Sequence, residues 1–130
     1  MKNTIFKISK YSYYFSLAIL FILYLFPGSL IGYLLYGNLG QQPDLIPNPM
    51  GTSINHLISF VCLSSLAFIM RVKEKKFINS FQFLLLASIL FEILHHFIPN
   101  RAFEYYDLLA NFIGVTFAYL LIQFILKIKR

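Results

Sequence analysis

A chain of 130 residues has room for one domain, and 58% of its residues are hydrophobic while only 12% are charged. A soluble domain carries about 25% charged residues, roughly twice this fraction, so the composition argues against a soluble protein. The net charge of +6 does not indicate nucleic acid as a partner, because the basic residues form short clusters between apolar runs and no continuous basic face.

Four apolar stretches are long enough to cross a bilayer, which takes about 20 helical residues. Spanning segments of this kind must be helices, because hydrocarbon offers the backbone no hydrogen-bond partner. We therefore predict an all-α fold, a bundle of four transmembrane helices, with residues 1–130 as a single domain. The predicted helices cover about 13–36, 54–70, 78–98 and 108–126.

Two features complicate this pattern. The first predicted helix contains Pro27, within FPGSLIG, which is expected to kink it. A helix that ends near Pro27, followed by an interfacial segment, is the alternative. The single cysteine, Cys62, lies in an apolar run and is interpreted as a small core residue.

The basic residues predict the orientation of the helices. Ten of the eleven Lys and Arg residues, all except Arg101, fall at one end of the four-helix arrangement. The positive-inside rule therefore places both termini in the cytoplasm and Arg101 outside. The ten are Lys2, Lys7, Lys10, Arg71, Lys73, Lys75, Lys76, Lys127, Lys129 and Arg130.

The same arrangement brings ionisable residues of three helices and a loop to one depth near the outer end. Charged groups that face lipid are costly, so these residues are expected to point into the bundle. Spacing supports this, because each helix carries its polar residues on one face. We expect the third and fourth helices to pack as a hairpin with these faces together, aided by the small residues Gly114 and Ala118. The candidate binding residues are His56, Glu92, His95, Arg101, Asp107 and Asn111.

The chemistry of these residues has several interpretations. Glu92-x-x-His95 is half of the motif of di-metal helical bundles, but a second copy is missing. We therefore predict no metal and no other cofactor. The pair forms either a buried acid–base site or, with Asn111, polar contacts between helices. No nucleophile–base–orienter triad is recognisable, so no catalytic residue is assigned.

Arg101 and His56 also have two interpretations each. The guanidinium of Arg101 suits a phosphate or carboxylate from the outer leaflet. It equally suits a pairing with Asp107 or Glu104 that fixes the loop. His56, at the start of a helix, serves either the site or a structural role such as a bond to a loop carbonyl.

Three motifs resemble those of the VanZ-like family of small bacterial membrane proteins. NHLISF at 55–60 is similar to the family's first motif, a His followed by aromatic residues. EILHHFIPNR at 92–101 resembles its Glu, Phe, Pro and Arg pattern, and DLLANFIG at 107–114 matches D-x-x-x-N-x-x-G. The chain departs from the family at His95, where Gln is usual, and at Ser53, where Asp is frequent.

This resemblance implies a helical envelope protein of the bacterial inner membrane. The family's namesake is associated with low-level resistance to teicoplanin, a lipidated glycopeptide. We therefore expect a non-enzymatic protein with an outward-facing polar pocket for a lipid headgroup, a lipidated compound or a membrane partner. Two alternatives stay open: an intramembrane enzyme acting on a phospholipid or polyprenyl-linked substrate, and a small structural subunit of a larger membrane complex.

Overall fold

The computed structural model describes residues 2–129, and their regular secondary structure is helical, with no β-strand among them. The predicted all-α fold is therefore confirmed for this part of the chain. Arg130, one of the predicted basic group, lies outside the described residues. The helices are α1 (Lys2–Leu25), α2 (Leu30–Tyr36), α3 (Ser53–Arg71), α4 (Phe81–His95) and α5 (Tyr105–Ile128), and a 3-10 helix at Phe77–Asn79 precedes α4.

Three helices are long and apolar enough to cross a membrane, which indicates a membrane protein. They cover Asn3–Leu25, Ser53–Arg71 and Tyr105–Ile128. α4 is also apolar but has only 15 residues. At about 1.5 Å per residue it reaches about 22 Å, short of the roughly 30 Å of hydrocarbon in a bilayer. The described chain thus has three helices of spanning length beside a shorter fourth.

The helix predicted over 13–36 is two helices in the structure. α1 begins at Lys2 because a helix can extend beyond the apolar run that defines a span. It ends at Leu25, and the chain turns through Pro27 and Gly28, whose φ is 90°. A Cβ at Gly28 would lie 2.6 Å from the carbonyl oxygen of Leu39. The alternative of a helix that ends near Pro27 is therefore the correct one.

The four longer helices alternate in direction. α3 and α5 are parallel, since Ser53 bonds to Asp107 near their first residues and the rings of Phe68 and Tyr119 lie 5.5 Å apart further along. α1 and α4 run the opposite way and end where α3 and α5 begin. Residues from all four helices therefore meet at one end of the bundle.

α3 and α5 approach each other closely at Gly114. A Cβ at Gly114 would lie 2.9 Å from the Leu57 carbonyl oxygen and 3.0 Å from the Phe60 Cβ. Gly114 thus allows close packing, as its spacing predicted, but the tightly packed neighbour is α3. The predicted hairpin of the last two helices is only part of the arrangement, because Gly114 lies against the second predicted span. Cys62 is exposed, not in the core as predicted, because its side chain lines a cavity between α1 and α3.

The opposite end of the bundle is basic. Lys10 Nζ lies 2.7 Å and 3.0 Å from the two carboxylate oxygens of Glu74, and Lys73 donates to the Asn3 side chain at 3.0 Å. The N-terminal part of α1 therefore lies beside the basic turn that follows α3.

Candidate functional site

Polar side chains from four helices and one loop meet at the end where α3 and α5 begin. We call this group the polar cluster, and it includes all six residues predicted from the sequence. It is shielded from solvent: Glu92 and Asn111 are 0% exposed, and His56 is 4% exposed. The polar cluster consists of Tyr24, Ser53, His56, Glu92, His95, Arg101, Asp107 and Asn111.

His56 is held from both sides of its ring. Its Nε2 lies 3.3 Å from Asp107 Oδ2, and its Nδ1 lies 3.0 Å from the Tyr24 hydroxyl oxygen. The other carboxylate oxygen of Asp107 accepts a hydrogen bond of 2.5 Å from Ser53. An ionised carboxylate only accepts hydrogen bonds, so the proton of the Nε2 contact belongs to His56 when Asp107 is charged.

Glu92 is held through one oxygen only. Its Oε1 accepts a hydrogen bond from the Glu104 backbone N–H at 3.0 Å and lies 3.3 Å from His95 Nδ1. His95 Nε2 donates its proton to the Tyr24 carbonyl at 3.0 Å. A hydrogen bond between His95 Nδ1 and Glu92 therefore requires a further proton, either on Nδ1 or on the Glu92 carboxyl group. Glu92 Oε2 is buried and has no hydrogen-bond partner among the described residues; it lies 4.0 Å from His56 Nδ1.

Arg101 binds the end of α1. Its Nη2 donates to the Leu23 carbonyl at 2.5 Å, and its Nε donates to the Phe26 carbonyl at 3.3 Å. These carbonyls lie at a helix C-terminus, where the last turn lacks partners within the helix. The predicted pairing with Asp107 or Glu104 is wrong within residues 2–129, because the guanidinium is directed to these carbonyls instead. Arg101 is thus a loop staple whose partner is α1.

Asn111 is buried beside the Tyr24 hydroxyl, which donates to its Oδ1 over 3.5 Å. Its Nδ2 has no hydrogen-bond partner within residues 2–129. Ser88 shares the buried face of α4 with Glu92, but its hydroxyl donates to the Leu85 carbonyl at 2.8 Å. Ser88 therefore supports its own helix and does not join the polar cluster.

Three residues at or near the site were not among the predicted binding residues: Tyr24 and Ser53, which belong to the polar cluster, and Asn55 beside it. Tyr24 touches His56 and Asn111 through its hydroxyl, and it is the only polar residue in the apolar run 17–26, a signal that could have identified it. Asn55 fixes the long loop, because its side chain donates to the Pro43 carbonyl and accepts from the Leu45 N–H, both at 2.8 Å. Its place beside His56 in the NHLISF motif was the available signal.

Two cavities adjoin the polar cluster. The polar cavity, of about 590 Å³, lies under the loop and is lined by residues that include Thr52, His56, His95, Arg101, Glu104 and Asp107. The apolar cavity, of about 290 Å³, lies between α1 and α3 and is lined by residues that include Phe15, Ile19, Leu20, Leu23, Cys62 and Leu63. Both cavities are lined by Ser29, Gln42, His56 and Arg101.

Burial and neighbouring charges shift the pKa values of two groups that line the polar cavity, Glu104 and Arg101. Burial, and then the neighbouring carboxylates of Asp107 and Glu92, raise the pKa of Glu104. Burial also lowers the pKa of Arg101. His56, Glu92 and Asp107 each offer one metal-ligating atom, and these three atoms lie within 4.8 Å of one another. The arrangement can therefore hold an anionic group beside Arg101 or a cation between the two buried carboxylates.

Comparison with known proteins adds no relative, since no family model, curated protein or solved structure matches the chain. The resemblance to the VanZ-like family stays a hypothesis that rests on the motif residues.

Proposed function

We propose that the chain is a VanZ-like, non-enzymatic protein of the bacterial inner membrane that binds an amphiphile. The headgroup would occupy the polar cavity and the acyl part the apolar cavity. The observation that carries this proposal is that the two cavities are neighbours, since His56 and Arg101 line both of them. A ligand that is polar at one end and apolar at the other matches both linings at once.

The chemistry of the shared lining favours an anionic headgroup. Arg101 uses Nε and Nη2 for the carbonyls of Phe26 and Leu23, and a guanidinium has five N–H donors, so further donors remain on a residue that lines both cavities. A phosphate of a membrane lipid and an anionic group of a lipidated glycopeptide share the required chemistry. The resemblance to the VanZ-like family supports the second source, and a membrane location supports the first.

The proposed topology has four spans and cytoplasmic termini. Two observations support it. The sequence places ten basic residues at one end of the predicted bundle, and the four longer helices alternate in direction. The 15 residues of α4 would cross the bilayer together with the 3-10 helix before it and residues 96–98 after it, of which Phe97 and Ile98 are apolar.

Cysteine accessibility tests the topology. In a Cys62→Ser background, we expect Asn38→Cys to react with an impermeant maleimide added to intact cells. Lys73→Cys and Lys129→Cys are expected to react only after the cells are opened. Strong labelling of Lys73→Cys in intact cells would contradict the proposed orientation.

Ligand binding is tested by filling the apolar cavity. Cys62 lines this cavity and is exposed, so Cys62→Trp places a large ring there without disturbing the core. Leu120→Trp on α5 is the matched control, because Leu120 is 60% exposed and does not line either cavity. Native mass spectrometry should show phosphatidylglycerol retained by wild type and Leu120→Trp and lost from Cys62→Trp. Equal retention by the three proteins would refute the proposal.

The intramembrane enzyme remains a second candidate because of one observation, the His56–Asp107 pair at the wall of the polar cavity. Such a pair is suited to general acid–base chemistry. Incubation with headgroup-labelled lipid separates the candidates: release of the labelled headgroup by wild type, but not by His56→Gln, would establish an enzyme. Retention of intact lipid supports the binding protein.

A further inference from the structure

We propose that His56, Glu92 and Asp107 form a binding site for one divalent metal ion, with Zn²⁺ as the best-matched ion. The three residues come from α3, α4 and α5, and one ligand atom from each lies within 4.8 Å of the others. All three are buried. The inference does not depend on the proposed headgroup, since metal binding is measured without any added lipid or other ligand.

The histidine has the supporting hydrogen bond that metal-binding histidines usually have. Ligation by Nε2, which faces Asp107 Oδ2 at 3.3 Å, leaves the proton on Nδ1. Nδ1–H then donates to the Tyr24 hydroxyl oxygen at 3.0 Å, and that hydroxyl is free to donate to Asn111 Oδ1 at 3.5 Å. This chain of bonds fixes both the tautomer and the orientation of the ring.

Each carboxylate is likewise held through one oxygen and free at the other. Asp107 Oδ1 accepts from Ser53, and Glu92 Oε1 accepts from the Glu104 N–H. The remaining oxygens are Asp107 Oδ2, which faces His56, and Glu92 Oε2. Glu92 Oε2 is buried without a hydrogen-bond partner among the described residues, although Glu92 is 0% exposed. A buried carboxylate oxygen of this kind is costly unless a cation or donor meets it, and a metal ion is such a partner.

Charge and access agree with this assignment. A neutral imidazole and two carboxylates balance a divalent cation, so the ion removes most of the cost of burying two negative charges. His56 and Asp107 also line the polar cavity, which gives the ion a route of entry and leaves a fourth position open toward the cavity. Three nitrogen and oxygen ligands with one open position are typical of Zn²⁺ sites.

The spacing requires a modest adjustment. Ligands of a tetrahedral site with bonds of about 2.1 Å lie roughly 3.4 Å apart. The His56–Asp107 distance of 3.3 Å already fits, whereas Glu92, whose Oε2 lies 4.0 Å from His56 Nδ1, must move closer when the metal binds. His95, which Glu92-x-x-His95 suggested as a ligand, instead supports Glu92 Oε1 and bonds to the Tyr24 carbonyl.

Metal binding is tested on full-length protein with a tag free of histidine, purified in detergent and stripped with EDTA. After addition of ZnCl₂ and desalting, elemental analysis should give one Zn²⁺ per chain, and the same concentration of MgCl₂ should not displace it. Glu92→Gln and Asp107→Asn should weaken Zn²⁺ binding at least about tenfold in competition with a fluorescent chelator. His96→Gln, which removes an exposed histidine, should bind as wild type does. The proposal fails if wild type binds no stoichiometric Zn²⁺, if Glu92→Gln binds equally well, or if only His96→Gln loses the ion.

Cobalt gives a readout that does not depend on folding of the variants. Co²⁺ bound to the wild type at a four- or five-coordinate site has strong visible absorption, and one equivalent of Zn²⁺ should abolish that absorption. The weak spectrum of hydrated Co²⁺ would overturn the proposal even if the carboxylate variants do not fold.

Discussion

Ser53 on α3 donates a hydrogen bond to Asp107 on α5, with an Oγ–Oδ1 distance of 2.5 Å, and both residues are buried. The bond joins the two parallel helices where they begin. It also occupies one carboxylate oxygen of Asp107, so that the other faces His56. One hydroxyl group thus links the packing of two helices to the geometry of the polar cluster.

The Ser53→Ala variant should destabilise the protein by about 1–3 kcal/mol, because it leaves a buried carboxylate oxygen without its donor. Ser64→Ala is the matched control on the same helix. Ser64 is 0% exposed, and its hydroxyl has no hydrogen-bond partner within residues 2–129, so its loss should be neutral or stabilising. Unfolding in detergent by denaturant measures both variants, and equal free energies of unfolding would count against the role of the Ser53 bond.

Tyr24→Phe should also destabilise the fold by roughly 1–3 kcal/mol, because it removes the hydroxyl between His56 Nδ1 and Asn111 Oδ1. The ring packing is kept, so the variant isolates the polar contribution. Tyr33→Phe is the control, since Tyr33 is 53% exposed. Thermal melts of the two variants should differ, and a Tyr24→Phe melt equal to wild type would show that the hydroxyl contributes nothing.

Gly114→Ala should loosen the α3–α5 interface. The added methyl group would lie 2.9 Å from the Leu57 carbonyl oxygen, so the helices must separate, at a cost of about 1–3 kcal/mol. Alanine gains up to about 1 kcal/mol in helix propensity, so a net loss of stability would demonstrate the close approach. Gly40→Ala, in the loop, should melt as wild type does, since its Cβ would meet only Asn38 Oδ1, at 3.4 Å.

Glu74→Gln tests the contact between α1 and the basic turn. Hydrogen bonding to Lys10, and then the nearby positive charges of Lys10 and Lys76, lower the pKa of Glu74 below its ordinary 4.5. A lowered pKa means that this stabilisation is present above pH 4.5 and is lost as the pH falls through the folded-state pKa. Glu74→Gln should therefore melt earlier than wild type at pH 7, and the difference should disappear once the pH falls below the folded-state pKa of Glu74. Asp44→Asn in the exposed loop should show no such pH-dependent difference.

Much of the fold could be predicted from the sequence because apolar runs dictate it. Ranges 54–70 and 108–126 agree closely with Ser53–Arg71 and Tyr105–Ile128, since both helices are apolar along their length. The start of α1 could not be placed, because Lys and Asn residues continue a helix beyond the apolar run. Pro27 marked the break, but proline permits either a kink or an end.

The members of the site were predictable from the placement of the polar residues along the helices, but their contacts were predictable only where the geometry is local. Glu92 and His95 share a helix face by their spacing, and both are in the polar cluster. The partner of Arg101 is the end of α1, more than 70 residues away in sequence, and no pattern encodes that contact. Tyr24 was missed for the same reason. A lone tyrosine in an apolar run is recognisable as a site residue only once the fold places it beside His56.

Because the helices alternate in direction, both N-terminal and C-terminal helix ends lie at the polar cluster, and its ionisable residues are distributed between them. A helix carries a partial positive charge at its N-terminus and a negative one at its C-terminus, each about half an elementary charge. Asp107 lies in the first turn of α5, while His95 lies in the last turn of α4 and Arg101 binds the last carbonyls of α1. Asp107 and Arg101 thus lie at the helix ends that favour their charges. Glu92, one turn before the end of α4, faces an opposing backbone field. Neutralising Asp107 therefore removes a charge that the backbone supports, whereas neutralising Glu92 removes one that it opposes.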